Sequence, residues 1–202
     1  FCGVVVRFPM QSRAASSAFA ALGLDFASFS AHKIGGPTGV GALFVRPGMR
    51  LTSLLRGGGQ EQGRRSGTEN ILGITGFGAA ATAAFGDVAH FRDMAGWRDT
   101  FEAEVAAAHP DVALFGAAAP RLGNISCLAV GGKSSETLVM ALDIAGVAVS
   151  AGSACSSGKV TASHVLTAMG AGEKAAQAIR VSGGWKTRKE DFERLAQVLA
   201  GL

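Results

Sequence analysis

The stretch Ser28-Phe-Ser-Ala-His-Lys-Ile-Gly-Gly-Pro37 sets a lysine, Lys33, between an alternating apolar run and a turn rich in glycine. Asp25 to Ser30 alternates apolar with small residues, the pattern of a buried strand. Gly41-Ala-Leu-Phe-Val45 reads as a second strand stopped by Pro47, and Thr38, Gly39 and the flanking glycines suit the turn between them. A lysine held at a strand end among small residues is expected to be desolvated. Desolvation favours the neutral amine, the form that makes an imine. His32 beside it suits phosphate contact or proton transfer. Ser30, two residues earlier on the same strand face, is expected to share the same anion.

Outward from this stretch, Gly57 to Gly67 forms a long polar loop carrying Gln60, Glu61, Arg64 and Arg65, followed by Ser66, Thr68 and Asn70. Loops of that polarity serve function or an interface. Ile71 to Phe85, rich in alanine and small apolar residues, is expected to be a buried helix. Phe91, Met94, Arg98, Phe101, Val105 and Ala108 recur at helical spacing, predicting an amphipathic helix that ends before Pro110. Strands are predicted at 112–115, 124–130, 147–150 and 179–182. A helix opens at Ser134 or Ser135 with Gly146 as its stop, and another runs from 162 to 169. Thr187-x-x-Glu190 is a capping box before the last helix. The change of character near residue 87 places a boundary there. Residues 1–87 read as a parallel-type sheet remnant, and 88–202 as a smaller α+β unit.

A second chemical candidate is Cys155, in Ser150-Ala-Gly-Ser-Ala-Cys-Ser-Ser-Gly158. A thiol on a segment almost without bulk is a nucleophile that can travel. The chain has three cysteines, at 2, 127 and 155. That odd count in unlike contexts argues against a disulfide framework and for a reducing, cytoplasmic compartment. Cys127 reads as a small apolar filler in a buried strand. His90, His109 and His164, with Trp97 and Trp185, read as structural.

The composition, 48% apolar and 17% charged over 202 residues, is that of a globular chain. No apolar run approaches membrane-spanning length, so no membrane partner is expected. Phe1 to Val6 is too short for a secretory leader, and a start at Phe1 suggests a piece of a longer product. The net charge of +4 comes with one dense basic stretch, Arg46 to Arg65, interleaved with glycine and lacking aromatic stacking residues. That pattern fits a solvated or anion-binding loop, and no nucleic-acid partner is expected.

Four segments, in order, resemble the cysteine desulfurases, class V members of the fold-type I enzymes that use pyridoxal phosphate. They are Ser28 to Pro37, Gly57-Gly-Gly-Gln-Glu-Gln-Gly-Arg-Arg-Ser-Gly-Thr-Glu-Asn70, Ser150 to Cys155, and Ile179-Arg-Val-Ser182. The resemblance covers about residues 19 to 202. It implies an α/β fold, the C-terminal part of a large cofactor domain followed by a small domain. It further implies that Lys33 holds pyridoxal 5'-phosphate, that Ser30 and His32 contact its phosphate with His32 near the reacting centre, and that Thr68 reaches the phosphate bound by a second subunit of a homodimer. Arg180 would pair with the carboxylate of L-cysteine. Cys155 would take the sulfur as a persulfide for a sulfur-acceptor protein or iron–sulfur scaffold, and would contact a nascent iron–sulfur cluster. Asn124 would order the start of its strand.

The resemblance has a break. The family's Asp-x-x-Gln stretch should precede Asp25, yet the chain reads Phe8-Pro-Met-Gln-Ser-Arg-Ala-Ala-Ser16 there, without an acid. Residues 1–18 are therefore read as atypical, from a shifted frame or a truncated gene. Two other readings remain open: a related lyase acting on selenocysteine or cysteine sulfinate, and a non-catalytic remnant or sulfur carrier that uses Cys155 without the cofactor.

Overall fold

The structure, a computed structural model, describes residues 21–151 and 162–202. It divides into two compact units, Phe1–Gly86 and Asp87–Leu202.

In the first unit, β1 (Phe26–Ser30) pairs with β2 (Gly41–Val45) from Phe26 opposite Val45 to Ser30 opposite Gly41. The pairing is antiparallel, where a parallel-type remnant was expected of this region. Ten residues, 31–40, join the strands, and a parallel crossover needs a dozen or more. Nor is β1 buried as its alternation suggested: Phe26 and Phe29 are 41% and 46% exposed. Helix α1 (Ile71–Gly86) begins where Asn70 Oδ1 accepts from the Gly73 amide at 3.0 Å. Its span matches the sequence expectation, but only Gly73 and Phe77 are buried, and Leu72 and Phe85 stay exposed. The helix is apolar around its circumference, whereas the described part of this unit covers a single face. That face meets a small core of Ala31, Val40, Ala42 and Phe77, with Ile74 packed on it.

The second unit is built on four antiparallel strands in the order β3-β4-β6-β5. They are β3 (Ala113–Leu114), β4 (Ile125–Ala129), β5 (Ser150–Ala151) and β6 (Ile179–Ser182). Helices α2 (Val88–Ala108), α3 (Ser135–Ile144), α4 (His164–Ala168) and α5 (Lys189–Ala200) complete it. Met94, Arg98, Phe101 and Val105 of α2 turn inward as their spacing requires. One core joins Phe101, Val105, Leu128, Leu138, Leu142, Ile179, Leu195 and Leu199. Each such side chain contributes about 1.5–3 kcal/mol by leaving water. A smaller cluster, Leu166, Ala175 and Ala178, packs with Phe115 and Cys127.

The helix ends follow local chemistry. Ser134 Oγ accepts from the Thr137 amide at 3.2 Å, and Gly146 closes α3 at φ 77° with its amide donating to Asp143 O. The capping box of α5 is shifted by one residue from the expected Thr187–Glu190. Asp191 Oδ2 accepts from the Arg188 amide at 2.8 Å, because the Thr187 hydroxyl is already engaged by the Gly184 amide.

Candidate active site

The first group of candidate residues sits on the 3-10 turn Ala31–Ile34 that continues β1. Ala31 is fully buried, its amide donating to Val40 O at 3.1 Å and its carbonyl accepting from Gly36 at 2.9 Å. The turn closes at Gly35, whose φ of 79° only glycine adopts without strain. With Ala31 taking the inward position, His32 and Lys33 are carried outward. Both are exposed, and Ser30 is half-buried. Lys33 is therefore not desolvated by the described residues, contrary to expectation, because the turn directs it away from the small core. His32 lies on the turn rather than on the face of β1. The tight turn nonetheless brings Ser30 Oγ and His32 Nδ1 into a hydrogen bond of 2.8 Å.

Thr68 follows a loop that is fixed at its base. The Ser66 amide donates to Leu55 O at 2.9 Å, and Arg65 folds its guanidinium onto the carbonyls of Ser66 at 3.2 Å and Gly67 at 2.6 Å. Glu61 faces Arg65 at 3.7 Å. Glu61 and Gln62 hold left-handed backbone at φ 51° and 61°, an arrangement that costs on the order of 1 kcal/mol per residue. Thr68 is exposed, and among the described residues no hydrogen bond joins it to Ser30, His32 or Lys33.

In the second unit, Arg180 is the outward residue of β6 between buried Ile179 and Val181. It stands opposite Cys127 of β4 and Ser150 of β5 in register. Asn124 fixes this end of the sheet by a reciprocal pair: its Nδ2 donates to Gly183 O at 2.8 Å, and the Gly183 amide donates to Asn124 O at 2.8 Å. Burial pushes the Cys127 thiol above its ordinary range, with the Arg180 charge opposing that rise. Cys127 is thus a half-buried packing residue whose burial disfavours the thiolate. Cys155 lies outside the described residues. Among the described residues no cluster of His, Cys, Asp and Glu could hold a metal ion. No single helix there is long and apolar enough to cross a membrane.

Sequence reasoning missed the supports of both groups. Gly36, against Ala80, and Gly76, against Pro37, allow α1 to approach the Lys33 turn, and a glycine kept small by a contact across the fold carries no local signature. Glu102, only 5% exposed, accepts from both Arg121 nitrogens at 2.7 and 2.8 Å and from Ser126 Oγ at 2.6 Å, tying α2 to β4. Burial would raise the Glu102 carboxyl, but these hydrogen bonds outweigh it and hold the group below its ordinary value. A cavity of about 250 Å³ bordered by Val147, Val149, Val181, Thr187 and Phe192 holds none of the candidate residues.

Solved structures define the class. The chain superposes on a NifS-like protein from Rickettsia africae with a TM-score of 0.77 at 32% identity, covering 89% of this chain and 48% of that one. SspA in complex with cysteine matches with a TM-score of 0.60 at 30% identity, covering 81% and 45%. The fold is thus the α/β fold of the NifS-like proteins. The aminotransferase class-V family model matches residues 13–195, and this chain belongs to that family. The match begins upstream of Phe19, so part of the leader read as atypical lies within it. A cysteine desulfurase from Cereibacter sphaeroides is 44% identical over 178 residues, 87% of this chain and 45% of that protein. One from Klebsiella pneumoniae is 41% identical over 177 residues, again 87% and 45%. The chain spans about half the length of the curated relatives it matches.

Proposed function

We propose that this chain carries the cofactor lysine, the carboxylate-binding arginine and the sulfur-accepting cysteine of a cysteine desulfurase that uses pyridoxal 5'-phosphate. The reaction removes sulfur from L-cysteine, giving L-alanine and a persulfide on Cys155. The observation that carries this reading is the turn after β1. There a hydroxyl and an imidazole are joined at 2.8 Å, and the next residue is a primary amine. That set suits an aldehyde bearing a phosphate: the amine for the carbonyl, and the hydroxyl and imidazole for the phosphate oxygens. When bound, the cofactor supplies an electron sink for charge developed at the substrate α-carbon.

The chain's own residues divide the remaining work. Lys33 Nζ would hold the cofactor, and its amine is the group placed to move a proton at the substrate α-carbon. Arg180 presents its planar fork to the substrate carboxylate. Cys155 Sγ, as thiolate, attacks the substrate sulfur: an S–S bond forms, the C–S bond breaks, and its electron pair stays with the carbon skeleton, which is protonated to alanine. Thr68 serves the phosphate bound by a second copy, so the working form is a homodimer. The product sulfur passes, in the reducing cytoplasm, to an acceptor protein or iron–sulfur scaffold, and Cys155 contacts the cluster being built.

The test is the absorbance spectrum of the purified chain with pyridoxal phosphate, against Lys33→Ala. A visible band in the parent that is absent from the variant, followed by sulfide release that Cys155→Ala abolishes, supports the reading. An identical spectrum in both overturns it in favour of a remnant or sulfur carrier.

A further inference from the structure

We propose that Gly76 seats the Lys33 turn: its lack of a side chain admits the Pro37 ring against α1, and any larger residue there displaces the turn that carries Lys33. The cause is geometry within the first unit. The consequence for the cofactor rests on the reading of Lys33 given above.

A Cβ built on Gly76 lies 2.5 Å from Pro37 Cγ and 3.0 Å from Cδ, closer than real side chains approach. The contact is matched from the other side. A Cβ on Gly36 would lie 3.1 Å from Ala80 Cβ and 3.0 Å from Ala31 O. Ala80 is one helical turn beyond Gly76 and shares its face. Phe77, between them, is buried with Ala31, Val40 and Ala42. The turn and the helix thus approach through two glycines, Gly36 against the Ala80 side chain and Gly76 against the Pro37 ring.

The turn has little freedom to yield. Ala31 O holds the Gly36 amide at 2.9 Å, Ala31 itself is fully buried, and Gly35 already occupies the left-handed region. Pushing Pro37 therefore moves residues 32–36 as a unit about Ala31, and Lys33 with them. Helix propensity does not explain this glycine, since alanine would be favoured at Gly73, Gly76 and Gly78 alike. Space separates Gly76 from Gly78, and Gly73 is crowded only by its own N-cap side chain, Asn70. A Cβ on Gly78, two residues along the same helix, meets nothing within 4 Å. Gly76 is a positioning residue, acting through Pro37.

The experiment compares the full chain with Gly76→Ala, Gly78→Ala, Pro37→Ala and the double variant Gly76→Ala/Pro37→Ala, in which the Cγ and Cδ contacts are removed. The first readout, independent of cofactor, is amide exchange at Gly36 and Ala31. Gly76→Ala is expected to lose protection there by at least about tenfold. Gly78→Ala should keep it, and the double variant should regain it. The second readout is borohydride-trapped pyridoxal phosphate on the Lys33 peptide by mass spectrometry. It should slow on the order of 100-fold in Gly76→Ala and recover in the double variant. Unchanged exchange in Gly76→Ala, an equal loss in Gly78→Ala, or no recovery in the double variant would each overturn the proposal. If Gly76→Ala unfolds the first unit, refolding of the double variant supports the seat and continued unfolding overturns it. Absence of trapping at Lys33 in the parent chain defeats the functional reading alone, and the exchange readout still decides the seat.

Discussion

Removing Arg121 is the perturbation whose cost the structure specifies most closely. Arg121 donates through two nitrogens to Glu102, at 2.7 and 2.8 Å, and the Glu102 side chain is 7% exposed. Arg121→Ala strips that carboxylate of two of its three hydrogen bonds and leaves Ser126 Oγ at 2.6 Å. Breaking a buried pair costs about 3–5 kcal/mol, because the surviving charge stays desolvated. Arg121 is itself 17% exposed, and Arg98, 9% exposed, remains nearby to lower the charge penalty. We therefore expect about 2–3 kcal/mol, a drop of roughly 5–10 °C in melting midpoint. The assay is tryptophan fluorescence, since both tryptophans, Trp97 and Trp185, belong to the second unit. The acid side supplies the sign. Glu102 is held below its ordinary value of 4.5, so its contribution is complete above that pH and is lost as pH falls through its folded value. The gap between parent and Arg121→Ala should then close as pH falls below the ordinary carboxylate value of 4.5 and through the folded one. The double variant Glu102→Leu/Arg121→Met should lie within about 1 kcal/mol of the parent, because no unpaired charge remains. An Arg121→Ala loss below about 0.5 kcal/mol, or a gap that widens in acid, refutes the reasoning.

Three further outcomes are expected. Ser30→Ala should weaken pyridoxal phosphate binding about tenfold while leaving affinity for phosphate-free pyridoxal unchanged, measured by absorbance titration; equal loss for both would place Ser30 away from the phosphate. Cys127 should react with a maleimide at pH 8 at least about tenfold more slowly than an unhindered thiol. Arg180→Gln should slow it further by removing the charge that favours the thiolate, and peptide mass spectrometry would expose the error if labelling accelerates. Asn124→Ala should cost about 1–2 kcal/mol by freeing the Gly183 carbonyl and loosening the end of β6, read by amide exchange at Gly183.

The candidate site residues were read from local signals in the sequence. Lys33 stands between alternation and glycine, and those signals depend on neighbours a few residues away. The same holds for α1, α2 and the Gly146 stop, whose ends are set by local spacing and by Asn70, Pro110 and glycine. Burial was less legible. The apolar text of β1 and α1 says what each segment can bury, whereas Phe26, Phe29, Leu72 and Phe85 are exposed because the described first unit covers one face only.

The sequence by itself determined the order of elements and the residue types that fit a phosphate-bearing aldehyde and a carboxylate. Local spacing, turn conformation and side-chain chemistry are encoded within a few residues, so they can be read along the chain. Only the tertiary structure decided that Ser30 and His32 bond at 2.8 Å across a 3-10 turn, and that Arg180 shares its register with Cys127 and Ser150. It also decided that Glu102 is paired with Arg121 and that Gly76 lies against Pro37. Each of these joins residues through packing or pairing whose geometry depends on how whole elements meet. Glu102 and Arg121 are offset by 19 positions along the chain, and no periodicity records a contact of that kind.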